Sequence, residues 1–337
     1  MNKLSRLAVL LGAIGFSSAQ AAETSRFEYE EPHMGTKFRI VLYAPDKAAA
    51  DKAAKAGFAR VASLNAIMSD YLPNSELMRL CQKFEEKAGE PVEVGDDLFF
   101  VLAKAQEVSK LSDGAFDVTV RPLVVLWRLA RRTQRLPDAK ELADAMKLVG
   151  YRKMLLDPRA KTVKLTVPGM QLDLGGIAKG YAADEVLKEL AKYDVRIALC
   201  AAGGDIAMSG APPGTDGWKI DIAPLPGSKE KRAVRLKDAA ISTSGDAEQF
   251  VVIDGVRYSH IVDPKTGLGL TGRRSATVIA RRGIESDSTT KMASISSPEK
   301  AIAFFDEREG MAALIVIKTE HGEKVYASKR FEAYLVK

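Results

Sequence analysis

The segment most suited to chemistry is residues 171–184, where a predicted strand runs into Gly175 and Gly176 and a helix follows with Lys179 near its start. The N–H groups of a helix N-terminus attract phosphate, and glycine lets phosphate approach the backbone closely. The segment matches neither G-x-G-x-x-G nor a Walker A loop, so these nucleotide signatures are excluded. Taken alone, it fits a tight packing turn better than a phosphate site.

Two later segments, residues 203–205 and 241–245, combine glycine with an aspartate or with hydroxyl side chains. Serine and threonine hydroxyls bind anions, but they also form local turns with their own backbone. Each segment by itself is compatible with an ordinary turn.

His260 is the side chain best suited to take a proton near neutral pH. It lies where a predicted strand meets a turn, with Asp263, Thr266 and Gly267 close behind it. A single histidine at such a position is more often structural than catalytic, so the pattern alone leaves both roles open.

Asp287 and Lys291 stand four residues apart at the start of a predicted helix, and therefore on one helix face. A helix N-cap by Ser286 or Asp287, together with an ion pair between Asp287 and Lys291, explains this spacing without any ligand. By spacing alone, that structural role is favoured.

The first half of the chain is predicted to be rich in helices, which help to position these residues. Residues 38–43 are predicted as a strand and residues 46–68 as a helix with apolar residues at helical spacing. Ser75 is well placed to cap a short helix that begins near residue 76. Further helices are predicted at 96–111 and 138–148.

The second half is predicted to be β-rich, with only a few helices. Helices grouped early and strands grouped later predict an α+β fold rather than a regular βαβ repeat. No internal repeat divides the chain, so residues 22–337 are predicted to form a single domain. The predicted strands are 162–167, 196–199, 218–222, 250–253, 276–280 and 313–317.

The N-terminus has the features of a secretory signal peptide. Lys3 and Arg6 precede a ten-residue apolar run, and residues 19–21 (Ala-Gln-Ala) form a cleavage site. The run is too short to cross a bilayer, which takes about 20 residues. We therefore expect cleavage after residue 21, a periplasmic location, and no membrane span in the mature chain.

The composition is that of a globular protein, with 46% hydrophobic and 28% charged residues, which excludes disordered and fibrous classes. The net charge of +6 is spread along the chain without interleaved aromatic residues, so no nucleic-acid partner is expected. Cys200 lies in a predicted buried strand and is expected to be a core thiol, while its pairing with Cys81 is left open. No Cys/His spacing indicates a zinc site.

The ordered set of motifs resembles the ApbE-type FAD:protein FMN transferases over roughly residues 30–305. The segments described above fall in the order and near the spacing of that family. Four further segments carry the resemblance: Met34-Gly35-Thr36, Ser69-Asp70-Tyr71, Ser75-Glu76-Leu77, and residues 114–123 (GAFDVTVRPL).

The resemblance implies an enzyme that splits the pyrophosphate of FAD and attaches FMN to a Ser or Thr hydroxyl of an acceptor protein, releasing AMP. It implies a membrane-associated redox flavoprotein as the acceptor, carrying an Asp-x-x-Ser/Thr-Gly-Ala-Ser/Thr motif. By motif matching, His260 is the candidate base. The positions that match the FAD site of the family are Met34, Tyr71, Ala115, Phe116, Asp117, Asp173, Lys179 and Val262.

The resemblance also implies Mg²⁺ on the pyrophosphate, held by a carbonyl best matched to Gly176, by Asp287, and by a hydroxyl residue four positions later. That position is Lys291 here, and an ammonium cannot coordinate a metal. Either Lys291 supplies the positive charge instead, or Thr290 and water complete a weaker site. The presence of Asp287 favours retained, altered Mg²⁺ dependence.

Three other functions are compatible with the sequence. An FAD pyrophosphatase would use the same site with water in place of the acceptor hydroxyl. A non-catalytic flavin-binding protein would bind FAD and leave it intact. A periplasmic anion-binding or scaffold protein would show no affinity for flavin.

Overall fold

The structure, a computed structural model, describes residues 24–245 and 250–336. Its main feature is an eight-stranded sheet in which every neighbouring pair is antiparallel. In spatial order the strands are β1 (Ser25–His33), β2 (Thr36–Ala44), β6 (Ala198–Ala202), β7 (Asp205–Ser209), β10 (Ala239–Gly245), β14 (Arg274–Ala280), β15 (Ala312–Thr319) and β16 (Gly322–Ala327).

Three small sheets lie outside the main one. The first has the order β3 (Val92–Glu93), β5 (Thr162–Leu165), β4 (Met154–Asp157). The second is the hairpin of β8 (Trp218–Ile222) and β9 (Arg232–Leu236). The third contains β11 (Phe250–Ile253), β12 (Val256–Val262) and β13 (Gly269–Thr271).

Several of the helices begin next to residues whose side chains cap them. The Asp46 carboxylate accepts the Ala49 N–H at 2.8 Å, and the Ser75 hydroxyl accepts the Met78 N–H at 3.1 Å. The helices are α1 (Lys47–Met68), α2 (Glu76–Gln82), α3 (Asp96–Leu111), α4 (Arg121–Thr133), α5 (Ala139–Lys147), α6 (Ala178–Ala191), α7 (Gly283–Ile295) and α8 (Pro298–Asp306).

The main sheet is covered on both faces. Alternate residues of β2, including Phe38 and Ile40, pack with α1, α6 and α7, whereas Val41 points to the opposite face. Trp218 and Phe331 cover that second face. Burial on both faces explains why β6 is apolar at every position.

A smaller core joins α4 and α5 to the β11–β12–β13 sheet. Leu123 and Trp127 of α4 pack there with Val251 and Val262. The Trp127 indole N–H donates to the Gly267 carbonyl at 2.8 Å, which ties α4 to the turn that follows β12.

The α+β class is confirmed, and the predicted helices and strands occur within a few residues of their predicted bounds. Strand β1 and helices α4 and α8 are among the elements that were not predicted, and residues 241–245, interpreted as a turn, lie in strand β10. The cap proposed for α7 is wrong: Arg282 precedes the helix, and both Ser286 and Asp287 lie inside it. The predicted signal peptide, residues 1–21, lies outside the described residues.

Both cysteines are buried and unpaired. Burial raises the pKa of the Cys81 thiol to about 11 and that of Cys200 further still. The thiols are therefore protonated core groups.

Over residues 24–245 and 250–336, no helix combines the length and the hydropathy that crossing a membrane would require.

Candidate functional site

The site is built around the N-terminus of α6. Gly175 donates its N–H to Asp173 Oδ1 at 2.7 Å, which fixes the turn before the helix. The N-cap residue Ile177 provides no side-chain cap. Instead, the Gly180 N–H donates to Asp287 Oδ2 of α7 at 3.1 Å. The first turn of α6 is therefore satisfied in part by a carboxylate from another helix.

Helices α6 and α7 cross at two glycines. A Cβ on Gly180 would lie 2.0 Å from the Gly283 carbonyl oxygen, and a Cβ on Gly283 would lie 2.4 Å from the Gly180 carbonyl oxygen. The Asp184 carboxylate accepts the N–H groups of Gly283 at 2.6 Å and Ile284 at 3.0 Å. One helix thus caps the other, and the close crossing buries Asp287 completely.

Two lysines and two aspartates form a lysine–aspartate cluster at this crossing (Lys179, Asp205, Asp287 and Lys291). Lys179 Nζ donates to the Gly175 carbonyl at 2.8 Å and lies 3.2 Å from Asp205 Oδ2 and 3.8 Å from Asp287 Oδ2. Lys291 Nζ lies 3.2 Å from Asp287 Oδ1.

The cluster keeps both lysines close to carboxylates. Burial opposes the charge of Lys179, but the Asp205 and Asp287 carboxylates raise the pKa of its ammonium above the ordinary value. Burial likewise opposes the charge of Asp287, yet the ammoniums of Lys179 and Lys291 hold the pKa of this carboxyl below its usual range. Asp205 has a raised pKa because of burial and the neighbouring Asp287.

The turn between β6 and β7 lies beside the cluster. Gly203 adopts a positive φ of 65°, and a Cβ on Gly204 would lie 2.7 Å from the Thr243 carbonyl oxygen. The Ser242 and Ser286 hydroxyls are 2.8 Å apart, which joins β10 to α7. The Gly-Gly-Asp and hydroxyl-rich segments of the sequence are therefore brought to one place.

The β1–β2 hairpin turn forms one wall of an open cleft. Met34 and Gly35 have φ of 48° and 72°, the pattern of a two-residue hairpin turn. The cleft has a volume of about 640 Å³ and is lined by Met34, Thr36 and Asn65 among others. A Cβ on Gly203 would lie 3.0 Å from the Thr36 hydroxyl, so the turn adjoins the glycine-rich β6–β7 turn.

The segment that contains Ala115, Phe116 and Asp117 is buried beside α6. The Phe116 ring lies 3.4 Å from the position that a Cβ on Gly176 would take. Asp117 Oδ1 accepts from the N–H and hydroxyl of Thr119, and Oδ2 accepts the Tyr151 N–H at 2.7 Å. Asp117 therefore holds the shape of this segment with both carboxylate oxygens.

A second group of charges lies where the middle of α4 faces Asp173. Arg128 contacts Asp70 Oδ2 at 2.7 Å and Asp173 Oδ2 at 3.3 Å, and its guanidinium lies 4.3 Å from the centre of the Tyr71 ring. Tyr71 is 71% exposed. Burial and the nearby Asp70 raise the pKa of Asp173.

Sequence reasoning missed Arg128, although the apolar and basic residues of 121–133 alternate at helical spacing. Pro122 occupies the first turn of α4, where proline is tolerated because the N–H it lacks would have no partner in the helix. A search for helices that begin at a proline would have found this element.

His260 lies inside β12 rather than at its end, and it is partly exposed. Three residues of β12 lie between Tyr258 and Val262, but only one residue of β13 lies between their partners Thr271 and Gly269, so β12 carries a bulge. Such bulges turn a side chain away from the regular ladder. Val262 is buried in the core beneath α4, so it supports this hairpin from within.

The positions predicted to hold Mg²⁺ do come together, but the Lys291 ammonium among them does not fit the ion. Lys291 Nζ lies 3.2 Å from both Asp287 Oδ1 and Thr290 Oγ1. Mg²⁺ needs oxygen ligands at about 2.1 Å, and an ammonium has no lone pair to offer.

Comparison with known proteins agrees with this architecture. Residues 34–315 match the profile of the ApbE family. The FAD:protein FMN transferase of Haemophilus influenzae is 30% identical over 345 aligned positions, which cover 98% of each chain. The flavin transferase ApbE of Vibrio cholerae has a TM-score of 0.83 and 29% identity, over 93% of this chain and all of that one.

A crystal structure of the ApbE protein of Thermotoga maritima is equally similar, with a TM-score of 0.82 and 30% identity over 93% of this chain and 100% of that one. A family profile that spans most of the chain and a relative aligned over its whole length lead to the same conclusion. The chain belongs to the ApbE family.

Proposed function

We propose that this chain is an FAD:protein FMN transferase. The observation that carries the proposal is the lysine–aspartate cluster, which places the ammoniums of Lys179 and Lys291 beside the N-terminus of α6, with the Phe116 ring next to Gly176. Phosphoryl transfer depends on positioning and on neutralising phosphate charge, and this arrangement supplies both. The whole-length relatives that carry this activity support the assignment.

In the proposed reaction, the hydroxyl oxygen of an acceptor Ser or Thr forms a bond to the FAD phosphorus that carries riboflavin. The bond from that phosphorus to the bridging oxygen breaks, and its electron pair leaves with AMP. His260 accepts the hydroxyl proton as general base. The ammoniums of Lys179 and Lys291 stabilise the charge that develops on the phosphate oxygens.

The FAD diphosphate is placed at the start of α6 in this proposal. The exposed ring of Tyr71, backed by Arg128, and the Met34 side of the cleft provide apolar surfaces for the aromatic parts of the ligand. Asp173 fixes the turn before α6 by accepting the Gly175 N–H, and Asp117 fixes the segment that carries Phe116 by accepting the Tyr151 N–H.

The acceptor in this proposal is a flavoprotein with an exposed Ser or Thr, such as a membrane redox subunit. We also propose that residues 1–21 direct export, so that the enzyme and its acceptor meet in the periplasm. Fractionation of cells that express the full chain, with N-terminal sequencing of the product, tests this location: a mature chain starting at residue 22 in the periplasmic fraction is expected.

The activity is tested by incubating the protein with FAD and an acceptor fragment that carries the Ser/Thr motif. Mass spectrometry is expected to show the fragment with one FMN added and one water lost, and chromatography is expected to show an equal amount of AMP. Free FMN and AMP with an unmodified fragment would instead indicate a pyrophosphatase. FAD that stays intact would indicate a flavin-binding protein.

A further inference from the structure

The Lys291 ammonium already contacts the two side-chain oxygens that a metal ion at this place would need as ligands. Its ammonium lies 3.2 Å from Asp287 Oδ1 and 3.2 Å from Thr290 Oγ1. The other Asp287 oxygen accepts the Gly180 N–H at 3.1 Å and faces Lys179. A divalent ion beside Asp287 would have to displace Lys291 and tolerate the repulsion of Lys179.

The aliphatic stem of Lys291 packs on the loop that begins α6. A Cβ on Gly176 would lie 3.1 Å from Lys291 Cγ and 3.5 Å from Lys291 Cε. Because Gly176 has no side chain, the stem rests directly on the backbone and carries the ammonium between this loop and α7. The side chain is 20% exposed, so the ammonium is held by the protein and still reachable by a ligand.

We propose that the Lys291 ammonium takes the place of the divalent cation in binding the FAD diphosphate, and that FMN transfer by this chain therefore needs no metal. This inference rests on the proposed function. An ammonium has three N–H donors. Among the described residues, Asp287 and Thr290 accept two of them, which leaves the third for a phosphate oxygen.

The first experiment measures FAD binding in EDTA by flavin fluorescence. The wild type is expected to bind FAD equally well in EDTA and in Mg²⁺, and Lys291→Met is expected to bind about 10-fold or more weakly, because a charge-assisted hydrogen bond is lost. Lys47→Met is the matched control, since Lys47 likewise pairs with an aspartate four residues away, Asp51, but on the exposed first turns of α1. Its FAD affinity is expected to equal that of the wild type.

Two results in this experiment would overturn the inference. One is a wild type that binds FAD only when Mg²⁺ is present. The other is a Lys291→Met variant that melts at the wild-type temperature and binds FAD as tightly as the wild type in EDTA.

The second experiment restores a hydroxyl with Lys291→Thr. This variant is expected to bind one Mn²⁺ in an electron paramagnetic resonance titration and to transfer FMN only when Mg²⁺ or Mn²⁺ is added. The wild type is expected to bind no Mn²⁺ and to transfer FMN at the same rate in EDTA and in Mg²⁺. Wild-type transfer that EDTA abolishes and Mg²⁺ restores would overturn the inference while leaving the transferase assignment intact.

Failure of the proposed function gives a different result. In that case neither the wild type nor Lys291→Thr modifies the acceptor fragment, with or without metal. FAD binding in EDTA by the wild type and by Lys291→Met then still decides whether Lys291 binds the diphosphate.

Discussion

The backbones of Gly180 and Gly283 are in contact where α6 crosses α7. A Cβ on Gly180 would lie only 2.0 Å from the Gly283 carbonyl oxygen. The same Cβ would lie 2.7 Å from the Asp287 Cβ. The position of Asp287 against the start of α6 therefore depends on glycine at this crossing.

Gly180→Ala is expected to destabilise the protein by about 1–3 kcal/mol or more, because a methyl group there meets backbone atoms that cannot rotate away. Urea denaturation measures the change in the free energy of unfolding. Gly89→Ala is the control, since its nearest neighbour atom is 3.7 Å away and its φ is not positive. Equal unfolding free energies for the two variants would show that the crossing tolerates a side chain.

Tyr71→Ala is expected to weaken FAD binding by about 10-fold, since stacking on an aromatic side chain contributes about 1–3 kcal/mol per base. The unfolding free energy is expected to change by less than about 0.5 kcal/mol, because Tyr71 is a surface residue. Tyr71→Phe keeps the ring face above Arg128 and should bind FAD like the wild type. Fluorescence titration measures FAD affinity, and urea denaturation measures the unfolding free energy. An unchanged FAD affinity in Tyr71→Ala would show that Tyr71 does not contribute to FAD binding.

Asp184 gives a stability that depends on pH. Burial raises its pKa to about 6 from an ordinary value of 3.8, so between these values the folded state binds more protons than the unfolded state. The stability that Asp184 contributes is therefore fully present below pH 3.8 and is lost as the pH rises through 6. The loss amounts to about 3 kcal/mol.

The measurement compares the wild type with Asp184→Asn, which removes this titration and leaves Asp173 and Asp205 in place. The difference in unfolding free energy, wild type minus variant, is expected to fall by about 2.5 kcal/mol between pH 4 and pH 7. Urea denaturation at several pH values gives this difference. A difference that is constant with pH would contradict the raised pKa.

His260→Gln is expected to slow FMN transfer by about 10²–10⁴-fold, the range that a general base contributes. FAD affinity is expected to be unchanged, because the proposed diphosphate site is built from residues of the lysine–aspartate cluster and does not include His260. Initial rates of acceptor labelling and fluorescence titration measure the two quantities. Full transfer activity in this variant would show that another group accepts the proton of the acceptor hydroxyl.

The sequence by itself determined most of the local structure. Helices α1, α2 and α5 begin at Asp46, Ser75 and Asp138, whose side chains cap them, and such caps act within four residues. Several strands with buried faces, among them β2, β14 and β15, were predicted for the same reason, since their apolar pattern is local. Strand β1 was missed because it lies at the sheet edge with mostly exposed residues, so no apolar face marks it.

Tertiary structure alone decided how the candidate site is assembled. Lys291 and Asp287 are four residues apart, and their ion pair follows from helix geometry. Their contacts with Gly176 and Gly180 join residues more than 100 positions apart in sequence. Those contacts depend on the order of strands in the main sheet and on a helix crossing that only two glycines permit. Local residue patterns carry no information about either feature.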